Sequence, residues 1–493
     1  MNADSEKEDD GYKLTAETNV IKTRDDVHPV LFNKVQCDNG ESEPCFQAIN
    51  DSTCSWLRPE EKFGVRKLRE RIEPWLTSLC QSEHLSMLLG SGLSNAVHCR
   101  ATGKLLPGMS TYVFGNYNEL IQAEAGRSAK ACGRNKGNIE DQLRAANELL
   151  RGWEIEAVCG NTSAKETAQS IRQDISGILG SFAKSIYEGE RGIAGAPANK
   201  REEAFNYLVS FLMSFASRSG TRDRLHLFTT NYDRVIEAGA DAAGMHLLDR
   251  FVGSVSPVFR SSRLDLDIHY NPPGIRGEPR YLEGVARFTK LHGSLDWVDS
   301  DRTIRRIGLP FGGSSTDLVK SAFAEISSDA SQLMIYPNAA KDRETSFYPY
   351  TELFRDFAAS LCRPNHTLVT FGYGFGDDHL NRIIEDMLTV PSTHLVVISY
   401  DDPLQRIMKI YDELGRHAQV TLLLGNHVGE FGTLVDSYLP KPAIDRATFR
   451  MAELLKARFG TRSIDALPAE PQSSTSSAPS PGTDTTDFDA EGL

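Results

Sequence analysis

The chain has 493 residues, 40% of them apolar and 25% charged, which suits a globular protein of two domains or of one domain with large insertions. A net charge of −13 argues against broad electrostatic binding of nucleic acid, and no apolar run is long enough to span a bilayer. The acidic start, Met1–Asp10, lacks the hydrophobic centre of a secretory signal. None of the eight cysteines forms a C-x-x-C pair, so a four-thiolate zinc site has no support and free thiols in a reducing cytoplasm are expected.

Residues 1–60 read as a polar, irregular N-terminal extension anchored by apolar residues such as Val30, Leu31 and Phe32. A helix is expected over Glu61–Cys80, with Val65, Leu68, Ile72 and Leu76 on one face. The Arg66–Arg71 charge run on it is a solvated helix face rather than a basic patch. His84–Leu89 is a short strand that turns through Gly90-Ser91-Gly92-Leu93-Ser94 into a helix. Glycines at such a turn permit close backbone approach, and the helix amino end favours an anionic pyrophosphate. The plainer reading is a tight turn that needs glycine for its backbone angles. Ala96 and Val97 follow Asn95, which departs from G-x-G-x-x-G.

From about residue 116 to 219 the periodicity is helical, with one stripe through Ile139 and Leu143, one through Ile171–Ile186 and one through Phe205–Phe215. This block is expected to be a helical subdomain inserted after the first strand–helix unit. The sheet resumes with strand Leu225–Phe228, which ends at Thr229-Thr230-Asn231-Tyr232-Asp233. Asn231 and Asp233 then emerge at a strand end, where an amide offers a donor and an acceptor to a ligand. Capping of the next helix by Thr230 or Asn231 is the structural alternative. A long excursion spans 252–285. The strand Val285–Leu291 runs into His292-Gly293-Ser294, where an imidazole is suited to base work near neutrality.

A further strand is expected over Leu333–Tyr336 and a helix over Tyr348–Leu361. The strand His366–Phe371 opens into Gly372-Tyr373-Gly374-Phe375-Gly376-Asp377-Asp378, a second glycine turn before a helix, with His379 and Asn381 read as surface residues. Helices and strands then alternate to Leu424, which indicates parallel βαβ units. Residues 441–465 carry a C-terminal helix, and 466–493 are a Ser/Thr/Pro-rich tail expected to be disordered. The fold class is α/β, a Rossmann-like parallel sheet with a large inserted helical subdomain. In such a sheet nucleotides bind at the carboxyl ends of the strands.

The order G-S-G-x-S, T-T-N-Y-D, H-G-S and G-Y-G-F-G-D-D-H-L-N resembles the sirtuin-like NAD-binding domain, and most the prokaryotic branch found in antiphage-defence NAD hydrolases. Asn138-Ile139-Glu140-Asp141 also resembles a helical motif of that branch. The resemblance covers roughly residues 84–425, and the catalytic domain is expected over 61–440. It implies that Gly90, Ser91, Gly92 and Ser94 cradle the NAD phosphates and that His292 is catalytic. It further implies that Asn231 and Asp233 line the nicotinamide-ribose pocket, with Asn231 orienting the ribose and the attacking water. Gly372 and Tyr373 match a later nucleotide-contacting turn, and Ser399, Tyr400 and Asp401 fall near the adenosine end.

The paired zinc knuckles of protein-deacylating sirtuins have no counterpart, which favours water as acceptor. The implied activity is a metal-free NAD glycohydrolase that depletes NAD on activation. The expected setting is cytoplasmic, with a homo-oligomer and in some relatives a HerA-type hexameric ATPase supplied as a separate chain. No direct nucleic-acid or membrane partner is expected. The alternatives are a protein deacylase or ADP-ribosyltransferase, and a non-catalytic sensor of NAD or ADP-ribose.

Overall fold

The computed structural model describes residues 14–441 except 24, 37–42, 50–53, 132, 133, 135, 219–221, 263–265, 271–279, 283, 301, 302, 313–348 and 403. The expected strand Leu333–Tyr336, the C-terminal helix from Ile444 and the tail lie outside the described residues.

The chain opens with β1 (Asn19–Lys22), β2 (Val30–Val35), β3 (Cys45–Ala48) and β4 (Lys62–Gly64), joined antiparallel in that order. The segment read as irregular is therefore part of a sheet. Its strands are only three to six residues long, too short for an alternating pattern to stand out. The expected helix from Glu61 begins instead at Val65, because β4 occupies the preceding residues: α1 runs Val65–Cys80. β5 (His84–Leu89) and α2 (Ser91–Thr102) follow. Four helices come next: α3 (Asn118–Ala131), α4 (Ile139–Val158), α5 (Thr162–Ala194) and α6 (Ala198–Ala216).

β6 (His226–Thr229), α7 (Val235–Ala242) and β7 (His246–Leu248) return to the sheet. The excursion over 252–285 holds short strands, β8 (Phe251–Val252), β9 (Val258–Phe259), β10 (His269–Tyr270) and β11 (Arg280–Tyr281). β12 (Val285–Lys290) leads to β13 (Trp297–Ser300) and β14 (Thr303–Arg306), which join β8 and β9 in a small second sheet. The last units are α8 (Tyr350–Leu361), β15 (His366–Phe371), α9 (Asp378–Leu388), β16 (His394–Ser399), α10 (Arg406–Leu414) and β17 (Val420–Leu424).

Among the described residues the main sheet has eleven strands, in the order β4-β3-β2-β1-β17-β16-β15-β5-β6-β12-β7. From β17 to β7 every pairing is parallel, which makes this a Rossmann-like α/β fold. β5, β6, β15 and β16 are almost wholly buried, as strands covered on both faces must be. Alternate residues of β15 reach opposite layers. Leu368 belongs to one core cluster with Phe357 and Ile384, while Val369 and Phe371 belong to the other, where the Phe371 ring meets those of Phe211 and Phe431. Because β5 lies between β15 and β6, the chain order reverses at its carboxyl end, the place where open sheets form a ligand crevice.

Cys54, Cys80, Cys99, Cys159 and Cys362 are free thiols. Cys45 is disulfide-bonded, against the expectation of free thiols. Among the described residues no helix is long and apolar enough to cross a membrane, and no cluster of potential metal ligands occurs.

Candidate active site

A cavity of about 440 Å³ opens at the carboxyl ends of the parallel strands, within the size range of small-molecule sites. The turn after β5 supplies Gly90, Ser91 and Ser94, the turn after β6 supplies Asn231 and Asp233, and the turn after β12 supplies His292. Gly372 and Tyr373, after β15, complete that edge. The four sequence segments therefore share one cavity, although 202 positions separate Gly90 from His292.

Hydrogen bonds knit these turns together. Asn231 Nδ2 donates to Gly90 O and to Ser94 Oγ, both at 3.0 Å. Ser94 Oγ donates to Asp233 Oδ2 at 2.7 Å, and Asp233 Oδ1 accepts from Val235 N at 3.1 Å. Asp233 thus serves the first turn of α7 and the β5 turn together. The Asn231 amide spends its donor within the protein, and its oxygen, which meets no donor among the described residues, is the atom left for a ligand. The next turn is tied to the same segment: Leu295 N donates to Tyr232 O at 3.0 Å. Gly293 holds φ +90° there, a conformation open to glycine. His292 is 2% exposed, with its ring centre 5.6 Å from that of His379.

The glycines of the two βα turns have a packing reason. A Cβ on Gly90 would lie 2.4 Å from Gly372 O, and one on Gly92 would lie 2.5 Å from Gly372 Cα. Gly92 N donates to Gly372 O at 3.1 Å and Leu93 N to Gly90 O at 3.1 Å. Gly92 therefore faces the neighbouring turn rather than the cavity, and two early N–H groups of α2 are already engaged.

Tyr373 is 3% exposed, and its hydroxyl donates to Asn381 Oδ1 at 3.1 Å. Burial holds its phenol well above the ordinary range, so it acts as a neutral donor. Asn381 also donates to Phe375 O at 3.1 Å. Asn381 and His379, read from sequence as surface residues, are respectively a buried brace of this loop and a cavity wall. Asp401 is exposed and does not line the cavity. Its carbonyl accepts from Ser399 Oγ at 2.9 Å.

Sequence reading missed several wall residues. Phe182, Ile186 and Glu190 arrive from α5, in the helical block. Glu190 is 1% exposed and pairs with Arg234, accepting from Arg234 N at 2.8 Å and Nε at 3.2 Å. Burial pushes the Glu190 carboxyl upward and the adjacent guanidinium opposes it. Asn138 caps α4 in a capping box with Asp141, whose carboxylate takes both Arg134 Nη groups at 2.8 Å. That cap aims Glu140 and Arg134 at the cavity. Only the Asn138–Asp141 motif signalled these residues beforehand. Arg382 and Arg406 also line the wall.

A family model described as a SIR2-like domain matches residues 225–417. The span contains Asn231, Asp233, His292, Gly372 and Tyr373 and is consistent with an NAD-utilising enzyme. No curated protein matches the chain.

Proposed function

We propose that the chain hydrolyses the bond between nicotinamide and ribose in NAD, releasing nicotinamide and ADP-ribose. The observation that carries this reading is the arrival of His292 and Asn231 in one cavity from the ends of adjacent parallel strands, β12 and β6. Nicotinamide departs as a neutral base while positive charge grows on the ribose carbon. The Asn231 amide oxygen accepts a hydrogen bond from a ribose hydroxyl or from the attacking water. His292 takes the proton that this water gives up, a contribution of about 10²–10⁴-fold for a placed general base. Asp233 keeps the Asn231–Ser94 network in place. Holding the substrate and water in register adds to this by lowering the entropic part of the barrier.

In the same reading the activity is gated, as an antiphage effector that depletes NAD must be. The helical block walls the cavity through α5, and in this reading a homo-oligomer or a HerA-type ATPase acting in trans exerts its control through that block.

The test is nicotinamide release from NAD by the wild type, His292→Ala and Asn231→Ala, each with and without the candidate ATPase. Losses of about 10²–10⁴-fold are expected for His292→Ala and about 10²–10³-fold for Asn231→Ala. Equal turnover by all three proteins would overturn the site. ADP-ribosylated protein or O-acyl-ADP-ribose among the products would replace hydrolysis by transfer. Binding of NAD without nicotinamide release in any condition would leave a sensor.

A further inference from the structure

The cavity wall formed by Gly374 and Gly376 is explained by what lies behind it. A Cβ on Gly376 would meet Arg406 Nη1 at 2.9 Å, and one on Gly374 would meet Arg406 Nη2 at 3.3 Å. Neither glycine has a positive φ, so backbone conformation does not demand them; the nearest neighbour to either open Cβ position is the guanidinium. Arg406 opens α10 and lines the cavity. Among the described residues its side chain makes no hydrogen bond or ion pair, and its Nε is buried without an acceptor. Asp402, the carboxylate nearest in sequence, accepts from Met408 N through Oδ2 at 3.0 Å and feels the Arg406 charge, but forms no ion pair with it.

Two residues flanking the guanidinium slot hold left-handed backbone. Phe375, between the two glycines, has φ +49°, and Gln405, just before Arg406, has φ +51°. Such conformations cost non-glycine residues energy and persist where surrounding structure imposes them. Both lie beside the half-buried Arg406: Gln405 precedes it in the chain, and Phe375 sits between the two glycines that its guanidinium approaches.

The first glycine turn is poorly placed to meet an anion by itself. Gly90 and Gly92 are closed against Gly372, and the Gly92 and Leu93 N–H groups are taken. Asp377 and Asp378 also line the cavity and repel a phosphate. A planar fork of donors with permanent positive charge offsets that repulsion and matches paired phosphate oxygens.

We propose that Arg406 is the principal receptor for the pyrophosphate of the bound dinucleotide, in a slot that Gly374 and Gly376 keep open. The assignment rests on the dinucleotide reading of the cavity, but it concerns binding and not bond cleavage.

The experiment is calorimetric titration of the full chain with ADP-ribose, NAD, NADP and adenosine. Arg406→Gln is expected to weaken ADP-ribose and NAD by about 10–100-fold, the scale of hydrogen bonds to a charged group, and to leave adenosine unchanged. Arg406→Lys is expected to recover part of the loss. Gly376→Ala, which displaces the guanidinium without removing it, is expected to weaken ADP-ribose in the same direction. Thermal melts of each variant show that the fold is kept.

Unchanged ADP-ribose affinity in folded Arg406→Gln overturns the proposal, as does a wild type that does not bind ADP-ribose. A loss confined to NADP overturns it too, since it places the guanidinium on a 2′-phosphate. The two readings fail separately. A chain that never releases nicotinamide but loses ADP-ribose affinity on Arg406→Gln keeps this assignment and loses hydrolysis. A chain that hydrolyses NAD and ignores the substitution does the reverse.

Discussion

Gly372 is held at φ +59°, with its α-face closed against Gly92 Cα, so one residue locks two strand–helix turns into a shared floor. Gly372→Ala is expected to cost about 1–3 kcal/mol from left-handed strain and overpacking, read as a lowered midpoint in urea at unchanged slope. An unchanged midpoint would mean that the turns separate freely. At this scale the sequence is a good guide to chemistry-bearing residues at strand ends, because a small polar or glycine residue after an apolar run is a local signal. It is a poor guide to residues whose role depends on a distant neighbour. His379 faces the cavity beside His292, and Asn381 braces the Phe375 loop; their local pattern is only that of a helix start. Asp401 carries a similar local signal yet stays outside the cavity.

The inserted helix α5 meets the β6 turn through Glu190 and Arg234, which are 1% and 7% exposed. Arg234 also donates to Leu309 O and, at 3.3 Å, to Pro310 O, so three separate segments meet at one guanidinium. Removing one partner of such a buried pair strands the other charge. Glu190→Ala is therefore expected to lose about 3–5 kcal/mol of stability, with Glu190→Gln losing less because its amide oxygen still accepts from Arg234. Chemical denaturation of the two variants checks the order, and equal, small losses would show that water reaches Arg234. The apolar stripe of α5 was legible as periodicity. Its position against the sheet edge was not, since periodicity gives the buried face of a helix but not what covers it.

The whole molecule carries buried histidines whose charging opposes folding. Burial pushes His366 from 6.5 down to about 3, and His226 well below its ordinary value. Neither His366 ring nitrogen has a hydrogen-bond partner among the described residues. A depressed folded value means that the folded chain binds fewer protons than the unfolded one. The stability tied to each neutral histidine is thus complete above about pH 6.5 and is lost as pH falls toward the folded value, at about 1.4 kcal/mol per pH unit per histidine. Unfolding free energy is expected to drop between pH 6.5 and 5, with a shallower slope in His366→Leu. A flat profile in the wild type would show that these rings stay hydrated in the folded protein.

The sequence alone determined the α/β class, the helical character of the block between residues 116 and 219, and the strand ends that carry His292, Asn231 and the glycine turns. These follow from local periodicity and from residue types with narrow chemical uses. The tertiary structure decided that the four turns share a cavity, that Glu190 and Arg406 belong to its wall, and that Gly92 serves packing. It also decided that β1–β4 extend the sheet. Strand order and helix placement arise from contacts between residues far apart in the chain, and no local pattern encodes which of them meet.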